Sequence, residues 1–161
     1  MPALKEKIQQ DLKAAMIGKQ DTVVSVLRLL TAAILNKEKD KQYKLSKETG
    51  EAKKPELGDE EILDVIAGEL KKMRDALALF EKGGRKDLAA QFEAEMAILK
   101  NYLPDQLSEE AVKSLVAEAV EKTGAQSIKD MGKVMAELMP KVRGKADSGL
   151  VSSLVKEILA K

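Results

Sequence analysis

The chain has 161 residues, a formal net charge of +1, and neither histidine nor cysteine. These totals exclude disulfides, thiolate and imidazole metal ligands, cysteine nucleophiles and histidine general bases. A near-neutral molecule is not drawn as a whole to nucleic acid or membrane, so any anion site has to be a local patch. Hydrophobic residues make up 44% but aromatics only 2%, namely Tyr43, Phe80, Phe92 and Tyr102. A core of Leu, Ile, Val, Ala and Met points to helices, because sheets favour aromatic and β-branched residues.

In chain order, Leu4, Ile8 and Leu12 mark a first helix, which Gly18 can end in the left-handed conformation. Asp21 is placed to cap a second, with Val23, Leu27, Leu30 and Ile34 on one face. Segment 45–58, "LSKETGEAKKPELG", is charged and holds Pro55 and two glycines; it reads as a mobile connection at the tip of a helical hairpin. Asp59 can cap a third helix with the stripe Ile62, Ile66, Leu70, Met73, Leu77 and Phe80, stopped by Gly83 and Gly84. A fourth carries Leu88, Phe92, Met96, Leu99 and Leu103, and Pro104 forces its predecessor out of the α region.

Ser108 is positioned to cap a fifth helix (Val112, Leu115, Val116, Ala119) that Gly124 ends. Ser127 caps the next, lined by Ile128, Met131, Met135 and Leu138. Leu150, Leu154 and Ile158 line the last, with Asp147 as its cap. No segment alternates as a strand does. The predicted fold is all-α: an N-terminal long-helix hairpin or bundle over residues 1–104, then a compact three-helix C-terminal domain over 105–161.

Two strings imitate enzyme motifs. "SLVK", Ser153 to Lys156, fits S-x-x-K, and "KTG", Lys122 to Gly124, fits a second element of penicillin-binding proteins. There the KTG lies on a strand after the S-x-x-K; here it precedes it at a helix end, where Gly124 is better read as a C-cap. Neighbouring acids such as Glu93 with Glu95 point apart on a helix. No phosphate-cradling or dinucleotide-binding glycine loop is present. The chain is therefore expected to be non-catalytic, without cofactor or metal. Its opening residues lack a signal-peptide apolar run, Glu6 and Asp11 argue against an organelle presequence, and no stretch approaches membrane-spanning length. A soluble, cytoplasmic protein with no membrane partner is expected.

One segment carries a choice. Lys141, Arg143 and Lys145 alternate around Gly144, between Pro140 and an apolar helix. Cations at a helix C-terminus oppose its negative dipole end and a glycine terminates it, which explains the segment without a ligand. The same cations on an exposed turn can meet successive phosphates, with Lys129 and Lys133 extending a stripe. From residue 126 onward Lys129, Lys133, Lys141, Arg143, Lys145, Lys156 and Lys161 face only Asp130, Glu137, Asp147 and Glu157. Scarce aromatics argue against stacking on single strands, so folded RNA read by shape fits better. Arg28, among apolar neighbours, is expected to snorkel or pair with an acid, and Arg85 to pair with Asp87 or Glu81.

The pieces "VLRLLTAAILNKEKD" (26–40), "GGRKDLAAQFEAEMAILKNYLPDQLSEE" (83–110), "MGKVMAELMPKVRGKADSG" (131–149) and "VSSLVKEIL" (151–159) resemble the YqeY family, also called GatB/YqeY-like proteins. They stand in family order over nearly the whole length. Phe92 departs from the glutamate expected there, which makes core packing its expected role. The resemblance implies a two-part helical fold. Its C-terminal part is similar to the tail domain of the B subunit of tRNA-dependent amidotransferases, carbon–nitrogen ligases that correct mischarged Glu-tRNA(Gln) or Asp-tRNA(Asn). In them the tail binds tRNA while the chemistry resides elsewhere, and similar domains are appended to some glutaminyl-tRNA synthetases. The expectation is a non-catalytic tRNA-binding accessory module linked to tRNA aminoacylation or amidation, with tRNA or a tRNA-charging enzyme as partner. The alternative is a helical adaptor that meets a protein through its N-terminal helices, without RNA.

Overall fold

The computed structural model describes residues 1–160. Among them are seven α-helices, one 3₁₀ turn and no strand, so the protein is all-α. The helices are α1 (Ala3–Ile17), α2 (Asp21–Thr49), α3 (Asp59–Lys82), α4 (Lys86–Lys100), α5 (Glu109–Thr123), α6 (Met131–Val142) and α7 (Ser148–Leu159); the 3₁₀ turn is Ile128–Asp130. The chain divides between Tyr102 and Leu103 into two compact units.

In the first unit α1 packs on α2 and α3, α3 on α4, and α2 on both α3 and α4. The stripes read from the helical period turn inward: Ile8, Leu27, Leu30, Ile34, Ile62, Ile66, Leu70 and Leu99 are buried. Burying such side chains stabilises by roughly 1.5–3 kcal/mol each, before chain entropy is counted.

The ends of the elements differ from the expectation in instructive ways. Lys19 (φ 54°), and not Gly18 (φ −76°), takes the left-handed conformation after α1. The N–H of Gln20 then reaches back to Ala15 O at 3.0 Å, closing the reversed turn one residue later than the glycine suggested. Asp59 does not cap α3; its Oδ1 accepts the N–H of Leu4 at 3.0 Å and serves the start of α1 instead. The start of α3 is tied by Glu61, whose Oε2 accepts the N–H of Gly58 at 2.9 Å and also meets Lys41 Nζ at 2.7 Å.

The connection expected over 45–58 is shorter. Helix α2 runs on to Thr49, and Gly50 closes it at φ 70°. Within it the hydroxyls of Ser46 and Thr49 are satisfied by the carbonyls of Tyr43 and Leu45, and Lys, Glu and Gln are good helix formers however charged the run. Leu57 is 1% exposed, and its N–H donates to Glu38 Oε1 at 3.2 Å, the same oxygen that takes Lys5 Nζ at 2.6 Å. A segment read as mobile thus has an anchored end.

Tyr102 closes the first unit. Its hydroxyl donates to Asp11 Oδ2 at 2.7 Å, Lys7 Nζ reaches the same oxygen at 3.0 Å, and Lys7 sits 4.9 Å over the ring. Burial first, and the Asp11 carboxylate second, push the phenol pKa well above its ordinary value. A raised folded pKa favours the protonated form, so this contribution is fully present below the unfolded value of about 10 and is lost as pH rises toward the folded one. Tyr102→Phe is expected to cost about 1–2 kcal/mol near neutral pH. In urea unfolding followed by circular dichroism, that gap should narrow above about pH 10; no gap at neutral pH would show that the hydroxyl adds nothing, and a gap that stays constant with pH would show that its ionisation is not linked to folding.

In the second unit α5, α6 and α7 each touch the other two. Val112, Val116, Ala119, Val134, Leu138, Val142, Val151, Leu154, Val155 and Leu159 form its core. Ser108 caps α5 as expected, its Oγ accepting the N–H of Ala111 at 3.1 Å, and Gly124 ends α5 at φ 66°. Ile128 does not line α6. It lies 54% exposed in the 3₁₀ turn, because the carboxylate of Asp130 takes the N–H groups of Gln126 and Ser127 at 3.0 and 3.4 Å and holds that turn outside the α-helix.

Candidate nucleic-acid interface

Helix α6 decides where the cations stand. Val134, Leu138 and Val142 recur every four residues and are buried, which sets Lys133, Glu137 and Lys141, one position earlier in each turn, along the edge of that inward face. Lys129 is exposed in the 3₁₀ turn before α6, and Lys133 is exposed in its first turn with Nζ 4.0 Å from Asp130 Oδ1. Lys141 lies about 12 Å further along, at 1.5 Å per residue. The five predicted residues therefore form two groups: Lys129 and Lys133 at one end of α6, and Lys141, Arg143 and Lys145 at the other.

The second group stands on a built turn. Arg143 ends α6 in an extended conformation (φ −59°, ψ 121°), and Gly144 reverses the chain at φ 72°, a conformation that costs a residue with a Cβ about 1–2 kcal/mol. The N–H groups of Lys145 and Ala146 both return to Val142 O, at 2.9 and 3.0 Å. The carbonyls of the turn face residues 104–107: Gln106 Nε2 donates to Gly144 O at 2.8 Å, and the N–H of Leu107 to Lys145 O at 2.8 Å. Lys145 is exposed, while Lys141 and Arg143 are half-buried. Asp147 stands at the N-cap of α7 with an extended backbone.

Sequence reasoning passed over two members of this surface. Glu137, between the two groups, places a carboxylate in the middle of the basic stripe; its Oε1 lies 3.8 Å from Lys141 Nζ and 2.7 Å from Lys122 Nζ of α5. The Lys122 hydrogen bond, then the charges of Lys122 and Lys141, hold the Glu137 carboxyl below its usual range, and the same bond raises Lys122. Lys122 and Glu137 are 15 residues apart in sequence, so no helical spacing could have linked them. Read alone, Lys122 belonged to the "KTG" string.

The enzyme-like strings resolve into local structure. Ser153 Oγ donates to Gly149 O at 2.9 Å within α7, and Gly124 is the left-handed C-cap of α5. Among the described residues no group of three or more acidic side chains is placed to hold a metal ion, and no helix is long and apolar enough to cross a membrane. In the first unit Arg85 pairs with Asp87 at 3.2 Å, as expected, and Phe92 meets Phe80 edge to face with ring centroids 5.1 Å apart. Arg28 is exposed. A groove of about 460 Å³ runs between α2 and α3, floored by Ala32, Ala33, Val65 and Gly68, with Leu29 and charged residues at its rim.

Three relatives, each named "Altered inheritance of mitochondria protein 41, mitochondrial", are similar to the chain. That of Pyrenophora tritici-repentis is 26% identical over 156 residues, covering 95% of this chain and 79% of the relative. Those of Lachancea thermotolerans and Eremothecium gossypii are 33% and 31% identical over 96 residues, covering 60% of this chain and 46% of each relative. The matched region thus spans under half the length of these last two. Their names correct the cytoplasmic expectation: all three are mitochondrial by name, and acids near residue 1 speak only of those residues, not of a compartment. The family model described as Yqey-like protein matches residues 5–159, and the chain belongs to the YqeY family.

Proposed function

We propose that this protein is a non-catalytic tRNA-binding accessory module that serves tRNA aminoacylation or amidation. In this reading a long-helix N-terminal part, residues 1–104, carries a compact three-helix domain, residues 105–161, and the RNA phosphates lie against the turn after α6. The observation that supports it best is that turn. Lys141, Arg143 and Lys145 share one reversal whose backbone carbonyls are occupied by Gln106 and Leu107, so the cations are presented from a fixed frame. Cations so placed give affinity and register with little sequence readout. Few aromatics are available for stacking, and recognition of a folded RNA by its shape suits the composition. The resemblance of the C-terminal part to a tRNA-binding tail domain, as read from the sequence, supports the same reading.

Titration of the purified chain with labelled unfractionated tRNA, beside a linear unstructured RNA of equal length, tests this. Folded tRNA is expected to bind at least tenfold more tightly, and equal affinities would reduce the turn to a nonspecific charge. A second reading, a protein-docking adaptor, draws on the groove between α2 and α3, where Leu29 is 52% exposed beside small residues. Under it, wild-type chain would bind neither RNA, and Leu29→Glu would abolish capture of a protein partner.

A further inference from the structure

Resting on the tRNA reading, we propose that Lys122 is a further phosphate-binding residue of this surface, and that Glu137 holds Lys122 and Lys141 as a place-holder anion until a phosphate takes its position. The two lysines come from different helices, yet both ammonium groups approach one oxygen, Glu137 Oε1, at 2.7 and 3.8 Å. They therefore converge on a point that a single phosphate group can flank. An ammonium group has three donors; Lys122 uses one of them on Glu137, and Lys141, at 3.8 Å, is held by charge alone, so both keep donors for a ligand.

The pairing is also weakly held. The Lys122 side chain is 68% exposed, that of Lys141 39% and that of Glu137 27%; bridges in such water-accessible places are easily exchanged. The arrangement keeps two flexible side chains gathered beside the turn that carries Arg143 and Lys145. It also places one negative charge where an incoming phosphate must approach. Glu137 thereby sets the affinity: it orders the lysines and opposes the ligand.

The test is the salt series of tRNA binding with the full chain, its Lys122→Gln, Lys122→Arg and Glu137→Gln variants, and the Lys141→Glu/Arg143→Glu/Lys145→Glu variant, all checked for unchanged helicity. Lys122→Gln is expected to weaken binding and lower the slope of log affinity against log salt by about 1, while Lys122→Arg keeps both. Glu137→Gln is expected to tighten binding about fivefold at low salt, from loss of a unit charge some 4 Å from the ligand. Unchanged affinity and slope in Lys122→Gln, with binding lost in the triple variant, would overturn this inference and leave the tRNA reading standing. Weaker binding by Glu137→Gln would overturn the opposing role given to its charge. Failure of the wild-type chain itself to bind tRNA would remove the parent reading, and this inference with it.

Discussion

Reversing Lys141, Arg143 and Lys145 to glutamate together is expected to lower tRNA affinity about a hundredfold at 50 mM salt and to remove most of its salt dependence. Three phosphate contacts at ~0.7–0.9 each give a slope between about −2 and −3, or a fall of roughly 20- to 40-fold between 50 and 200 mM salt. Reversal deletes that component and adds repulsion of the same sign. The capping explanation leads elsewhere. It gives Lys141 about 0.3–1 kcal/mol of helix stability through the dipole at the end of α6, and no effect on RNA. Because Lys145 is exposed and Lys141 and Arg143 are only half-buried, the variant should remain folded. Circular dichroism beside the binding curve separates the two explanations: loss of binding with full helicity supports a phosphate grip, and a modest shift in melting with unchanged binding returns the turn to a helix end.

Leu138→Ala is expected to have the largest effect on stability, about 2–5 kcal/mol. Leu138 is fully buried on α6, in the core shared by Val116 and Val151. Truncating it removes the transfer free energy of the lost carbons and leaves a cavity between helices that touch on all sides. Small domains have only a narrow margin of stability, so a change of this size is a large fraction of the total. Urea unfolding followed at 222 nm measures it. A cost under about 1 kcal/mol would mean that the core collapses around the gap. The same variant should lose RNA affinity only in proportion to the fraction unfolded, since the cations of α6 stand beside the buried stripe and not within it.

The parts of the fold that depend on local spacing were legible in the sequence. Ser108 and Gly124 mark the two ends of α5 because capping and reversal are decided within a few residues. The inward stripe of α3 follows from the helical period, whereas α6 buries Val134, Leu138 and Val142, of which the reading by spacing had only Leu138. Contacts across sequence were not legible in this way. Asp59 serves α1, 55 residues away, instead of its own helix. Leu57 is fixed by Glu38 from the middle of α2, which no property of segment 45–58 reveals. For the candidate site, linear reading found every cation of the turn and missed the carboxylate that modifies them. The partnership of Glu137 with Lys122 exists only once α5 lies against α6.

The measurement to make first is the affinity of the wild-type chain for unfractionated tRNA at a series of salt concentrations from 50 to 200 mM. A straight line of log affinity against log salt with a slope of about −2 to −3 is the result expected of a turn that neutralises three phosphates. Binding that is absent at 50 mM, or a slope near zero, contradicts an RNA-binding role and directs attention to the groove between α2 and α3.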